Sequence, residues 1–337
     1  MKVDVPLTHD LKNAGQQARQ IEKAGFAGLF APETNHDPFL PLAAATQSTS
    51  KVDLITSIAV AFARTPMSLA YIAHDLNYAA KGRFILGLGS QIQPHITKRF
   101  SMPWSKPAAR MREFIQALRA IWRAWYSQER LAFRGEFYHH SLMTPFFTPK
   151  NIEHGAPRVF LAAVGPLMTQ VAAEVADGLI VHPFTTLEYL RTVTFPALDK
   201  GFAISGRDRD QFEISMQPLI ATGHNAKEIE SEKLAVKQQV AFYASTPAYK
   251  PVLDSVDLGD LQEQLNALSK QGRWVEMGEL FIDEYLENFA IVAEPQEIST
   301  ELNKRFGHFA DRISLYSKTL NPKDYYVILK KLMNRRV

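Results

Sequence analysis

The 337-residue sequence predicts an α/β fold: a closed (β/α)8 barrel with an insertion after unit four and a long helical region after strand seven. Three observations carry this. Apolar, strand-like runs alternate with helix-periodic segments eight times along the chain, and alternation at that number implies a parallel sheet closed on itself. Several units share a lead-in of small or glycine residues before the apolar run, as in KAGFAGLF, AAKGRFILGLG, VADGLIVHP and FADRISLY. The runs are also apolar at consecutive positions, as in GRFILGLGS (Gly82–Ser90), which suits strands buried on both faces. A doubly wound open sheet is the competing arrangement. The GLG of the fourth strand is no dinucleotide fingerprint, because the GxGxxG spacing is absent.

The elements follow in order. Residues 2–7 alternate Val3 and Val5 with polar neighbours and read as a strand. Leu11, Ala14, Ala18 and Ile21 recur at helical spacing, and Gly25 closes that helix. Residues 28–33 (GLFAPE) form a second strand ending in a carboxylate, followed by a polar loop over 34–37 and a small-residue helix over 38–48. The third strand is 52–60 (VDLITSIAV) with a helix over 67–80, and the fourth is 84–89. In the fourth helix Ser105 is the cap and Pro107 sits in the first turn. Met111, Phe114, Ile115, Leu118, Ile121, Trp122 and Trp125 make its apolar face, with Arg110, Arg112, Glu113 and Arg119 mostly elsewhere.

Residues 127–157 break the rhythm. They hold two short strands around Gly135 and the proline-rich MTPFFTPK, and read as an insertion. The pattern resumes with a strand over 158–164, a helix opening at Pro166, a strand over 178–184, a helix over 187–203 and a strand over 212–222. Residues 225–289 are a long helical region interrupted at 255–260, ending before Ile291 and Val292. A helix over 294–306 opened by Pro295, a last strand over 311–316 and a helix over 322–333 complete a single domain spanning 1–337.

Composition narrows the function classes. With 46% hydrophobic residues the chain can bury a sizeable core, and a formal charge of +3 without a long basic run argues against nucleic acid as the main partner. An anionic small molecule remains compatible with the basic pI of 8.9. There is no cysteine, which excludes disulfides, thiolate metal sites and a cysteine nucleophile. No membrane-length apolar stretch and no apolar signal core occurs, so a cytoplasmic protein is expected. His139, His140 and His154 do not suggest a metal site, because adjacent histidines on a strand point to opposite faces. The tail with Lys330, Lys331, Arg335 and Arg336 reads as a solvated helix end.

KAGFAGLFAPE, DPFLPLAAAT, ITSIAVAFARTPMSLA, GRFILGLGS, VFLAAVGPLM and VADGLIVHPF occur in the order found in luciferase-like flavin and deazaflavin oxidoreductases, and the chain resembles that family over nearly its whole length. It is most similar to a branch assigned to coenzyme F420, whose members also carry a segment like AFYASTPAYKPVL, residues 241–253 here. The resemblance implies a TIM barrel with a flavin-type ring at its C-terminal mouth. The leading expectation is hydride transfer between coenzyme F420 and a small organic substrate. FMN with oxygen, as a monooxygenase, is the alternative, and a barrel that binds a cofactor or metabolite without turnover is a third.

The resemblance also implies site residues. Ser57, Ile58 and Ala59 occupy the place of a bulge with a non-proline cis peptide behind the ring, expected between Ser57 and Ile58, with the bond one residue on as the alternative. From the residues alone this is an ordinary core strand. Ala162–Pro166 ends a strand in small residues and starts a helix, which leaves free N–H groups suited to phosphate, so Ala163, Val164, Gly165 and Pro166 are cofactor-tail candidates. Gly87, Gly89 and Ser90 at the end of strand four are expected as floor and rim beside the ring. Glu33 ends strand two where relatives place an acid followed directly by histidine; here Thr34 follows and His36 comes later, a departure from the pattern of sugar-phosphate dehydrogenation. Glu33, His36 and His95 are the catalytic candidates. Arg64 and Arg99 are cations at the mouth for an anionic substrate or tail, and His182, Tyr243 and Tyr249 are substrate or lid candidates. The small-residue helix at 42–49 makes a homodimer the expected assembly.

Overall fold

The computed structural model describes residues 1–317 and 319–333. Eight parallel strands form its centre: β1 (Lys2–Pro6), β2 (Gly28–Ala31), β3 (Asp53–Thr56), β4 (Phe84–Gly89), β5 (Arg158–Ala163), β6 (Gly178–Val181), β7 (Glu213–Met216) and β8 (Arg312–Ser314). They hydrogen-bond in the order β3-β2-β1-β8-β7-β6-β5-β4, and pairing of β3 with β4 closes the barrel. The helices around it are α1 (Leu11–Ala24), α2 (Phe39–Thr46), α3 (Pro66–Ala79), α4 (Pro107–Tyr126), α5 (Pro166–Val175), α6 (Phe195–Ser205), α7 (Ile298–Phe306) and α8 (Pro322–Met333). The predicted (β/α)8 class is the observed one.

Alternation along each strand divides two cores. Phe30, Ile55, Ile85, Phe160 and Ile180 point inward and fill the barrel. Their neighbours Leu29, Leu54, Phe84, Leu86, Val159, Leu161 and Leu179 point outward into the layer shared with the helices. That is why these runs are apolar at successive positions. The seven apolar residues assigned to the face of α4 are all buried there, Trp122 and Trp125 among them.

At the N-terminal end of the barrel the interior becomes ionic. Arg312 is fully buried and binds Asp4 through two bonds of 2.7 and 2.8 Å, Asp53 at 2.8 Å and Glu213 at 3.1 Å. Arg158 bridges the same Asp53 and Glu213, and Lys2 reaches Glu213. Burial opposes the charged guanidinium, but the three carboxylates outweigh it and raise the Arg312 pKa above its ordinary value. A Cβ on Gly28 would lie 2.4 Å from Asp4 Oδ1, so this position admits only glycine beside the pair.

Several expected elements are shorter or broken. The third strand divides at Ser57–Ile58, leaving β3 and a two-residue piece, Ala59–Val60, that pairs with the end of β4. The run 212–222 divides at Gln217–Pro218, since proline cannot donate to a ladder. Its second piece, Leu219–Ala221, pairs instead with Ala290–Val292 outside the barrel. Ser105 does not cap α4: Lys106 holds that position and no side chain caps the helix. Arg110, expected off the apolar face, is buried against the Phe62 ring and bonded to Tyr138. Pro295 precedes α7 rather than opening it, and the helix expected over 187–203 reaches Ser205 with a π-helical turn at Leu190–Thr194.

The insertion is a two-stranded hairpin, Phe133–Arg134 with His139–His140, around Gly135. The long helical region has its own apolar core, in which Val236, Val240, Leu253, Leu265, Met277 and Phe281 pack with Phe184 from the barrel. The small residues of α2 serve a contact within the chain: a Cβ on Gly15 of α1 would lie 3.4 Å from the Ala44 carbonyl and 2.7 Å from Ser48 Oγ. Among the described residues no helix is long and apolar enough to cross a membrane. Arg335 and Arg336 lie outside the described residues.

Candidate functional site at the C-terminal mouth

The mouth is built on the break in strand three. The Ser57–Ile58 peptide bond is cis, at the place the family resemblance gave for it. Ile58 packs on top of the barrel-filling cluster as an apolar floor, and its carbonyl accepts from Glu33 N–H at 3.1 Å. Gln217, just beyond β7, donates to Ser57 Oγ at 2.5 Å. The glycines of β4 explain how this fits. A Cβ on Gly87 would lie 1.9 Å from the Thr56 carbonyl oxygen, and one on Gly89 would lie 2.8 Å from the Ile58 side chain. Both glycines therefore make room for protein, where the sequence suggested room for a ring, and Thr56 Oγ1 donates to the Gly87 carbonyl at 2.8 Å.

Glu33 and Arg64, expected as separate site groups, are partners. Glu33 Oε2 accepts from Arg64 Nη1 at 2.7 Å and from Val60 N–H at 2.8 Å. Arg64 also donates to the Val60 carbonyl, lies 3.4 Å from Asp37 and covers the Phe39 ring. The carboxylate is thus a clamp on the segment after the cis bond, not a free acid or base. Arg99 is likewise committed, donating to the Thr34 carbonyl at 2.6 Å, and ties the loop after β4 to the loop after β2. His36 stacks on His9 with ring centres 5.0 Å apart. His95 opens the π-helical turn His95–Arg99 and is half-buried. None of this brings Glu33, His36 and His95 into one hydrogen-bonded group.

On the β5 side the chain leaves the barrel through Ala163 and Val164 to Gly165, the N-cap of α5, with Pro166 as the first helical residue. No side chain caps this helix, and nothing lies within 4 Å of the position a Gly165 Cβ would take. The amides of Leu167 and Met168 belong to the unpaired first turn, at the positive end of the helix dipole. Tyr189 Oη holds the Val164 carbonyl at 3.2 Å. At the neighbouring end of β4, Ser90 Oγ donates to the Gln91 carbonyl, and Gln91 takes the left-handed conformation with φ of 57°.

The β6 side is aromatic. His182 follows Ile180 by two places and sits against Tyr243 and Tyr249, at ring distances of 4.9 and 5.1 Å. Phe184 stacks behind Tyr249 and on Phe289. The three residues expected as lid or substrate groups are therefore together. His182 Nδ1 accepts from Phe184 N–H at 3.1 Å, so the neutral ring carries its proton on Nε2. Burial lowers its pKa to about 4, and burial pushes the Tyr249 phenol up to about 12. The mouth is thus divided: ion pairs and histidines over β2 to β4, uncharged aromatics over β6.

Four residues here escape a reading from the sequence. Gln217 continues the inward alternation of Glu213 and Ser215, a signal present in the sequence. Phe184 lies in VADGLIVHPF, but its stacking depends on Phe289 from a distant segment. His9 carries a buried Nδ1 with no hydrogen-bond partner, and Gln91 a left-handed backbone; neither has a local sequence signal.

Comparison with known proteins gives a consistent picture. The family model described as luciferase-like monooxygenase matches residues 3–311. An uncharacterised protein of Mycobacterium bovis is 49% identical over 313 residues, 93% of this chain and 92% of its own. The F420-dependent glucose-6-phosphate dehydrogenase of Intrasporangium calvum is 26% identical, over 76% of this chain and 78% of its own. Among solved structures, the coenzyme F420 dependent tetrahydromethanopterin reductase from Methanopyrus kandleri has the same fold, with a TM-score of 0.77 and 18% identity over 98% of this chain and 96% of that one. With its closed eight-stranded barrel and a family match that runs from β1 to the start of β8, the chain belongs to the luciferase-like monooxygenase family.

Proposed function

We propose that the protein is an oxidoreductase that binds the deazaflavin coenzyme F420 at the barrel mouth and moves a hydride between it and a small organic substrate. The observation that carries the reading is an apolar floor, Ile58, in the same mouth as an uncapped helix N-terminus at Gly165 with open space before it. These features fit a flat ring joined to an anionic tail. The choice of coenzyme F420 follows the 26% identical relative, the F420-dependent glucose-6-phosphate dehydrogenase of Intrasporangium calvum. When bound, the coenzyme supplies the redox chemistry, and the protein supplies position, dryness and charge.

The chain's own residues divide that work. Ser57, Ile58 and Ala59 support the ring, held from behind by Gln217 on Ser57 and by Glu33 on Val60. Val164, Gly165 and the amides after Pro166 receive the phosphodiester. Ser90 and Gln91 form the rim beside β4. His95, whose imidazole makes no hydrogen bond among the described residues, is the mouth histidine assigned to face the substrate.

Titration of the purified protein with each cofactor, followed by ring fluorescence, decides the matter. Binding of coenzyme F420 in preference to FMN is the expected result; tight FMN binding with none for coenzyme F420 overturns the reading. The family's description as monooxygenase favours FMN with oxygen as the second reading, and that result would select it. Gly165→Trp fills the open space before α5 and is expected to weaken cofactor binding at least tenfold, whereas unchanged affinity would reassign the tail.

A further inference from the structure

We propose that the β6 side of the mouth is a subsite for an uncharged cyclic carbonyl or alcohol, whose oxygen accepts a hydrogen bond from His182 Nε2–H and whose ring lies against Tyr243 and Tyr249. The inference rests on the reading of the mouth as a cofactor and substrate site, and it names the class of substrate.

The geometry of His182 makes it a donor of one kind only. Its Nδ1 is occupied by Phe184 N–H, which places the proton on Nε2. Nε2 has no hydrogen-bond partner among the described residues, and His182 is half-buried rather than enclosed. The His182 ring meets Tyr243 edge-on and Tyr249 at a tilt, and Phe184 stacks on both Tyr249 and Phe289. A directed donor among aromatic surfaces matches a small ring that carries one oxygen.

The surroundings select against charge. Among the described residues no charged side chain pairs with or stacks on His182, Tyr243 or Tyr249. The Tyr243 phenol accepts from the neutral Gln239 amide. The arginines of the mouth cannot cross to help, because Arg64 is committed to Glu33 and Asp37, and Arg99 to the Thr34 carbonyl. A phosphate or carboxylate placed against His182 Nε2 would lose hydration and meet a neutral donor there. A carbonyl or hydroxyl oxygen needs only the single hydrogen bond on offer.

The test uses cyclohexanone as the probe, methylcyclohexane as a control without oxygen, and benzoate and glycerol 3-phosphate as anions. The His182 Nε2–H resonance in a long-range proton–nitrogen spectrum of the wild-type protein is expected to shift with cyclohexanone and not with the anions. His182→Phe is expected to weaken cyclohexanone binding roughly 3- to 10-fold, the value of one neutral hydrogen bond, and to leave methylcyclohexane unaffected. His182→Gln, which keeps an N–H at the same reach, is expected to restore most of the loss. The proposal is overturned by a silent His182 resonance with the protein alone and with FMN or coenzyme F420 added. It is equally overturned if either anion binds more tightly than cyclohexanone. Failure of the cofactor reading shows separately, as absent ring-fluorescence changes in wild-type protein that still responds to cyclohexanone.

Discussion

Glu33 shows how a residue's partner decides its role. A carboxylate at the end of a barrel strand reads as an acid or base, because strand ends line the mouth. In place, it is held by Arg64 and the Val60 amide and acts as a strut under the segment that carries Ile58. Arg64→Met should therefore act on stability: it strands a carboxylate whose side chain is 8% exposed and costs about 2–3 kcal/mol in a urea titration. A variant as stable as wild type would return Glu33 to the list of free acids. His182 makes a prediction with a sign. Its native pKa is lowered by burial to about 4 from 6.5, so between those values the unfolded chain binds a proton that the native state does not. Stability should thus rise with pH from about 4 to 6.5 and level off above, and His182→Phe should flatten that rise relative to wild type.

At the scale of elements, β4 and α4 carry opposite lessons. Helix α4 is legible because a 20-residue amphipathic pattern needs no distant information. Trp122→Ala, which removes a side chain 1% exposed and bonded to the Ala70 carbonyl, should cost about 3–5 kcal/mol in a denaturant titration. Strand β4 was legible in extent but not in meaning. Its two glycines are required by a segment 31 residues earlier, whose carbonyl and isoleucine fill the space their side chains would take. Gly87→Ala places a methyl group into the Thr56 carbonyl and should destabilise the protein by at least about 2 kcal/mol. It should also weaken cofactor binding by displacing the floor; a variant with wild-type stability and affinity would show that β3 can retreat.

The whole molecule separates stability from chemistry along the barrel axis. The base holds a network in which Arg312, Arg158 and Lys2 face Asp4, Asp53 and Glu213. These residues come from the first three positions of five different strands, so no stretch of sequence announces the network. Arg312→Met leaves Asp4 buried without its partner and should cost about 3–5 kcal/mol, measured by thermal or urea unfolding. Because the mouth lies at the other end of the strands, ligand affinity in the folded fraction should be unchanged.

By itself the sequence determined the number of strand–helix units, their order, the closed parallel sheet and the position of the insertion. All of these rest on local periodicity, and hydrophobic patterning and turn chemistry act over a few residues. The same locality makes strand three look unbroken and Leu219–Ala221 look like a barrel strand: apolar runs look alike whichever partner they pair with. The tertiary structure alone decided which residues remain available at the mouth. Glu33, Arg64 and Arg99 are consumed by one another or by backbone, while His182, Tyr243 and Tyr249 meet although about 60 residues separate the histidine from the tyrosines. Availability is a property of pairing, and pairing between distant segments is settled only when the barrel closes.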